Sequence, residues 1–163
     1  MQNHRKKLNE SKNIMEFLYP HYEWDIQGGF GYTQDDAVII GESIRDYVGF
    51  EYYFIQRRTA TECVALLDNQ HKLANLSFKT LGQSLVRGDN GKSFDVINML
   101  VRATPQIEFE KYGVDLCDFP SLYELQESGK VSIVEFKVVC WFDITYHLRL
   151  ESGEEGVVAQ FIP

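Results

Sequence analysis

Between Val131 and Leu150 the chain reads VSIVEFKVVCWFDITYHLRL. Taking every second residue collects Ser132, Val134, Phe136, Val138, Cys140, Phe142, Ile144, Tyr146, Leu148 and Leu150, nearly all apolar. The positions between them are Val131, Ile133, Glu135, Lys137, Val139, Trp141, Asp143, Thr145, His147 and Arg149, mixed to polar. A period of two predicts a strand with one face on a core and one face nearer water. A helix would scatter the same apolar residues around its axis. About 20 extended residues at ~3.3 Å each would span roughly 65 Å. The run is therefore expected to bend strongly, or to be two strands joined by a bulge or a tight break.

Upstream, residues 3–19 carry Leu8, Ile14, Met15, Phe17 and Leu18 in a loose helical stripe that Pro20 ends. Residues 1–12 are expected to fray. Ala37-Val38-Ile39-Ile40 predicts a short buried strand, Asp46 to Gly49 a turn, and Phe50 to Arg57 a second strand paired with the first. Thr59-Ala60-Thr61-Glu62 fits a capping box opening a short helix that turns Cys63 inward, with a strand through Glu62–Leu67 as the competing reading. A strand is expected at Leu76 to Leu81, continued or restarted at Gln83 to Arg87, and another from Phe94 to Val101, joined by Gly88-Asp89-Asn90-Gly91, whose Asn-Gly step suits a hairpin. Thr104-Pro105 opens one helix, stopped at Gly113. Asp118-Phe119-Pro120 opens another, closed by Gly129. Val157 to Ile162 could form an edge strand. The order predicts one α+β domain over residues 1–163, a mainly antiparallel curved sheet with an N-terminal helix and short helices on one face.

Composition adds limits rather than detail. Of 163 residues, 44% are hydrophobic and 25% charged, which excludes a disordered chain, and no window is long and apolar enough for a membrane helix. The basic start lacks the apolar core of a secretory signal. The three cysteines, Cys63, Cys117 and Cys140, are read as buried thiols of a reducing cytoplasm. Charge changes the picture more. The chain carries −8, residues 1–12 hold four basic residues and one acid, and the remainder therefore carries −11. Residues 13–60 and residues 105–128 each carry net −5. Such a body repels nucleic acid and anionic membranes and attracts basic partners.

Chemistry-bearing motifs are scarce. The four histidines, His4, His21, His71 and His147, form no zinc-binding pattern, and no Cys-x-x-Cys is present. There is no Gly-x-Ser-x-Gly elbow, and Gly28, Gly29 and Gly31 belong to neither a phosphate loop nor a dinucleotide fingerprint. No metal, cofactor or catalytic residue is expected. The strongest alternative is a pocket around Trp141, Asp143, Thr145 and His147, with His147 as general base. On a straight strand, however, Asp143 and His147 would stand roughly 13 Å apart.

At the level of the whole chain, the GGFGYTQDDAVIIG, FEYYFIQRRT and GQSLVRGDNGKSFDV segments and the acidic composition resemble the cytosolic immunity proteins of bacterial polymorphic-toxin and contact-dependent growth inhibition systems. The resemblance implies a non-catalytic cytoplasmic protein in tight complex with one toxin domain, often a basic nuclease, which it blocks or holds inactive. It carries over no residue role. On charge and aromatic content, the expected contacts are Trp24, Asp25, Tyr32, Asp35, Asp36, Glu108, Glu110 and Asp118. The alternative is a small cup-shaped isomerase, hydrolase or ligand-binding protein using the His147 pocket. The oligomeric state stays open.

Overall fold

The computed structural model of the chain describes residues 25–64, 66–68, 71–88 and 90–151. The expected helix at 3–19, the frayed start, Trp24 and the edge strand at 157–162 lie outside these residues.

The structure is α+β. Five strands form one mixed sheet: β1 (Ile26–Gly28), β2 (Val38–Ile40), β3 (Leu73–Arg87), β4 (Ser93–Pro105) and β5 (Val134–Asp143). They lie in the order β1-β2-β5-β4-β3. The β2–β5 pair is parallel and the other three pairs are antiparallel. Four helices accompany the sheet among the described residues: α1 (Tyr47–Val64), α2 (Gln106–Lys111), α3 (Phe119–Glu127) and α4 (Thr145–Glu151).

The local signals that predicted the hairpin and the short helices hold. Gly88 N donates to Lys92 O at 2.9 Å to close the β3–β4 turn, and Gly91 takes φ +75°, which its missing Cβ permits. The Asp118 carboxylate caps α3 by accepting from Ser121 N, and Gly113 and Gly129 end α2 and α3 with positive φ.

Residues 50–57 overturn the expectation of a second strand. They belong to the 18-residue helix α1, and β2 pairs instead with β1 and β5. The buried residues of α1 are Phe50, Glu51, Phe54, Ile55, Arg58, Thr59, Glu62 and Cys63, the spacing of one helical face. Half of that face is polar, so its hydrophobic pattern is muted, while Phe50, Tyr52 and Phe54 imitate a strand. Asp46 starts the helix rather than a turn, accepting Gly49 N at 2.9 Å. Thr59 is a buried mid-helix residue and not a cap. Cys63 faces inward as expected.

Phe50, Phe54 and Ile55 of α1 share the main core with Val38 and Ile40 of β2, Ile97, Met99 and Val101 of β4, and Val138, Cys140 and Phe142 of β5. The Phe54 and Phe142 rings meet edge to face at 5.8 Å. Each such side chain contributes roughly 1.5–3 kcal/mol by leaving water. A second cluster holds Ala37, Phe94 and Val96, with Trp141 packed against it.

The long alternating run is one strand followed by a helix, not a bent strand or a strand pair. Alternation holds through β5, with Val138, Cys140 and Phe142 buried and Glu135, Lys137 and Val139 exposed. At Asp143 it stops. The Asp143 carboxylate accepts from Thr145 N at 3.2 Å and from Thr145 Oγ1 at 2.5 Å, and this turns the chain into α4. Thr145 and His147 therefore leave the strand altogether. Of the cysteines, Cys63 and Cys140 are buried thiols, but Cys117 is exposed in the loop before α3. Burial pushes the Cys140 thiol up to about 12, only partly offset by the Arg58 charge.

Candidate protein-binding surface

Among the described acids of the first stretch, Glu51 is buried, Asp25 and Asp36 are half-buried, and Asp35, Glu42 and Asp46 are exposed. Asp36 accepts Phe30 N at 3.2 Å and Tyr32 N at 3.1 Å, which folds the glycine-rich loop onto its own 3-10 turn. The fit is tight: a Cβ on Gly29 would lie 1.8 Å from Asp36 Oδ1. Trp141 N donates to Gly31 O at 2.9 Å and ties the loop to β5. Arg58 reaches the same loop from α1. Its guanidinium donates to Phe30 O at 2.5 Å, Val139 O at 2.9 Å and Cys140 Sγ at 3.3 Å. It also lies over the Tyr32 ring at 4.7 Å and beside Glu62 at 3.5 Å. Tyr32 OH donates to Glu62 at 2.6 Å. Asp25 is half-buried, with Ser43 N at 3.4 Å from its carboxylate. Of the described expected contacts in this stretch, only Asp35 is fully exposed.

The second acidic stretch faces outward. Glu108 is half-buried and pairs with Lys111 at 2.7 Å; the Lys111 hydrogen bond, against an opposing effect of burial, holds its carboxyl below the usual range. Glu110 is exposed and accepts from Gln106 at 3.1 Å, and Asp118 is the exposed cap of α3. Beside them stand large apolar side chains that the sequence reading passed over. Phe119 is 69% exposed, Tyr123 60%, Tyr112 50% and Ile107 48%. Phe119 and Tyr123 are four residues apart on α3 and share one face. Leu122 and Gln126 lie on the same i, i+3, i+4, i+7 stripe but are buried, and Gln126 donates to Thr104 Oγ1 at 3.0 Å. Tyr112 OH donates to Lys130 O at 3.3 Å, linking the end of α2 to the segment after α3. No sequence signal separates the exposed rings from the buried pair, because Phe119, Leu122, Tyr123 and Gln126 form a single helical stripe in FPSLYELQES.

The alternative pocket does not assemble. Trp141 packs on Phe94 at 6.1 Å. Asp143 is bonded to Lys92 Nζ at 2.8 Å; burial alone would raise its pKa, but Lys92 and the Thr145 donors bring it below the usual carboxylate range. Thr145 Oγ1 accepts Ser93 N at 2.9 Å. His147 is buried and stacked on Tyr47 at 4.7 Å. A groove of about 800 Å³ is lined by Asp25, Gln27, Glu42, Ser43, Arg45 and Tyr146, among others, but by none of these four. Among the described residues no group of histidine, cysteine and carboxylate side chains is placed to hold a metal ion, and no helix is long and apolar enough to cross a membrane. No known protein family, curated protein or solved structure matches the chain.

Proposed function

We propose that this chain is a non-catalytic binding protein of the immunity type, a cytoplasmic protein that neutralises one cognate, basic toxin domain. The docking surface is the α2–α3 segment, with Phe119 and Tyr123 as anchors and Glu110, Asp115, Asp118, Glu124 and Glu127 around them. One observation carries this reading: the most exposed aromatic side chain of the described residues stands in a segment that carries six acids and one base. Aromatic side chains that enter a partner's pocket supply most of an interface's energy, while rim charges chiefly steer association.

The test is co-purification with the tagged chain from cells that make it, at low salt and at about 0.5 M, where screening acts within a few Å. A single stoichiometric basic protein held by the wild type is expected. It is lost with Phe119→Ser/Tyr123→Ser, each anchor contributing about 1 kcal/mol or more. No partner at either salt, or equal retention by the double variant, overturns the proposal.

A further inference from the structure

The inward face of α1 carries a second acid, Glu51, with no exposed surface. Asp95 of β4, 6% exposed, lies close enough to act on it by charge and by a side-chain hydrogen bond. Neither Glu51 oxygen nor Asp95 Oδ1 meets a donor on any other described side chain or backbone group. The second Asp95 oxygen accepts from Gln83 Nε2 of β3, and Gln83 Oε1 accepts from the Tyr52 hydroxyl at 3.3 Å.

Ionised carboxylates only accept hydrogen bonds, so three donorless oxygens cannot satisfy one another while both acids are charged. A single proton between one Glu51 oxygen and Asp95 Oδ1 satisfies two of the three. Among the described groups the backbone donor to the pair is the Val96 N–H, which acts on Asp95 and not on Glu51. Along α1, Arg58 spends its terminal nitrogens on Phe30 O, Val139 O and Cys140 Sγ and lies beside Glu62. From β5 the facing titratable group is the Cys140 thiol, which is neutral. From α4, His147 stacks on Tyr47, one turn before Glu51. From β3 there is only the neutral Gln83, and β2 contributes Val38 and Ile40.

We propose that Glu51 and Asp95 share one proton at neutral pH, and that this proton latches α1 to the β3–β4 hairpin, so that the fold loosens as the proton leaves in alkaline solution. Burial first, then the charge and hydrogen bond of Asp95, hold Glu51 protonated up to about 9, against an ordinary value of 4.5. Burial also raises Asp95, against the lowering effect of Gln83. The sign follows. The unfolded chain releases this proton near 4.5 and the folded chain near 9. The contribution is whole below the lower value and is lost as pH rises toward the upper one.

The test is urea unfolding from pH 6 to 8.5 of wild type and Glu51→Gln, whose amide supplies a permanent donor. The wild-type folded-to-unfolded ratio should fall, relative to the variant, by about tenfold per pH unit, the slope for one proton. Parallel pH curves overturn the latch. Carboxyl carbon NMR of the folded wild type decides the matter should Glu51→Gln fail to fold. A Glu51 midpoint near 9 is expected, and Asp95→Asn should lower it by about one pH unit or more. A wild-type midpoint near 4.5 overturns the proposal.

Discussion

Residues 13–60 and residues 105–128 carry the same net charge of −5, yet they use it in opposite ways. In the described part of the first, Asp36 holds backbone N–H groups of a tight loop and Glu51 is buried, while just past its end Glu62 meets Arg58 and Tyr32 in the core. In the second, Asp118 caps an exposed helix end while Glu110 and its acidic neighbours flank exposed rings. Density of charge along a chain therefore does not mark a surface. What decides is whether the fold brings donors to the acids. A loop with unpaired N–H groups and a buried arginine consumes carboxylates; a pair of short helices with one buried face leaves them in water.

The sharpest way to break this contrast is Arg58→Met. Both members of the Arg58–Glu62 pair are almost wholly buried, with side chains 2% and 3% exposed. Removing the cation strands the Glu62 charge and leaves Phe30 O and Val139 O without their donor. Losing one partner of a buried pair costs roughly 3–5 kcal/mol. Urea unfolding should show a loss of that size. A loss below ~1 kcal/mol would mean that the first stretch is no more internal than the second.

The same buried polar groups explain what could be read in advance. The β3–β4 turn and helices α2 and α3 were legible because their signals are local: Gly91, Gly113 and Gly129 at positive φ, and Asp118 as a cap. Helix α1 was not, because Glu51, Arg58, Thr59 and Glu62 occupy inward positions that an apolar pattern would fill. Its strand-like reading came from Phe50, Tyr52 and Phe54, of which Tyr52 is only half-buried. In the 131–150 run, alternation was correct from Val134 to Phe142 but not at Val131–Ile133, where Val131 is buried and Ser132 exposed, and the break after Phe142 depends on a side-chain hydrogen bond two residues long. For the candidate surface, the acids of the second stretch were found. Phe119 and Tyr123 were missed because they share one helical stripe with Leu122 and Gln126, and only the burial of those two, with Gln126 bonded to Thr104 and Asn75, reveals which side chains are inside.

A smaller effect is expected from Asp36→Ala, which tests whether the glycine loop depends on its acid. The change removes the acceptor for Phe30 N and Tyr32 N. The loop is part-exposed, so water can replace some of the loss, and about 1–3 kcal/mol is the range for stranding such groups. Loss of stability together with faster proteolysis within residues 28–37 is the expected outcome. Unchanged stability would show that the backbone bonds Gly29 N to Ala37 O at 3.1 Å and Gly31 N to Asp36 O at 2.6 Å hold the loop unaided.

The smallest effect on stability belongs to the residues with the largest expected effect on binding. Phe119 and Tyr123 are 69% and 60% exposed, while Leu122, next to Tyr123 in sequence, is 1% exposed. Serine at Phe119 or Tyr123 removes little buried surface and should leave unfolding within about 0.5 kcal/mol of wild type. Alanine at Leu122 opens a cavity and should cost about 2–5 kcal/mol. The buried and the exposed side chains of one nine-residue helix thus separate folding from recognition. If serine at Phe119 and Tyr123 destabilised the protein as much as alanine at Leu122, those rings would be packing against the chain itself. The second stretch would then be as internal as the first, and the comparison that places a partner on α3 would collapse.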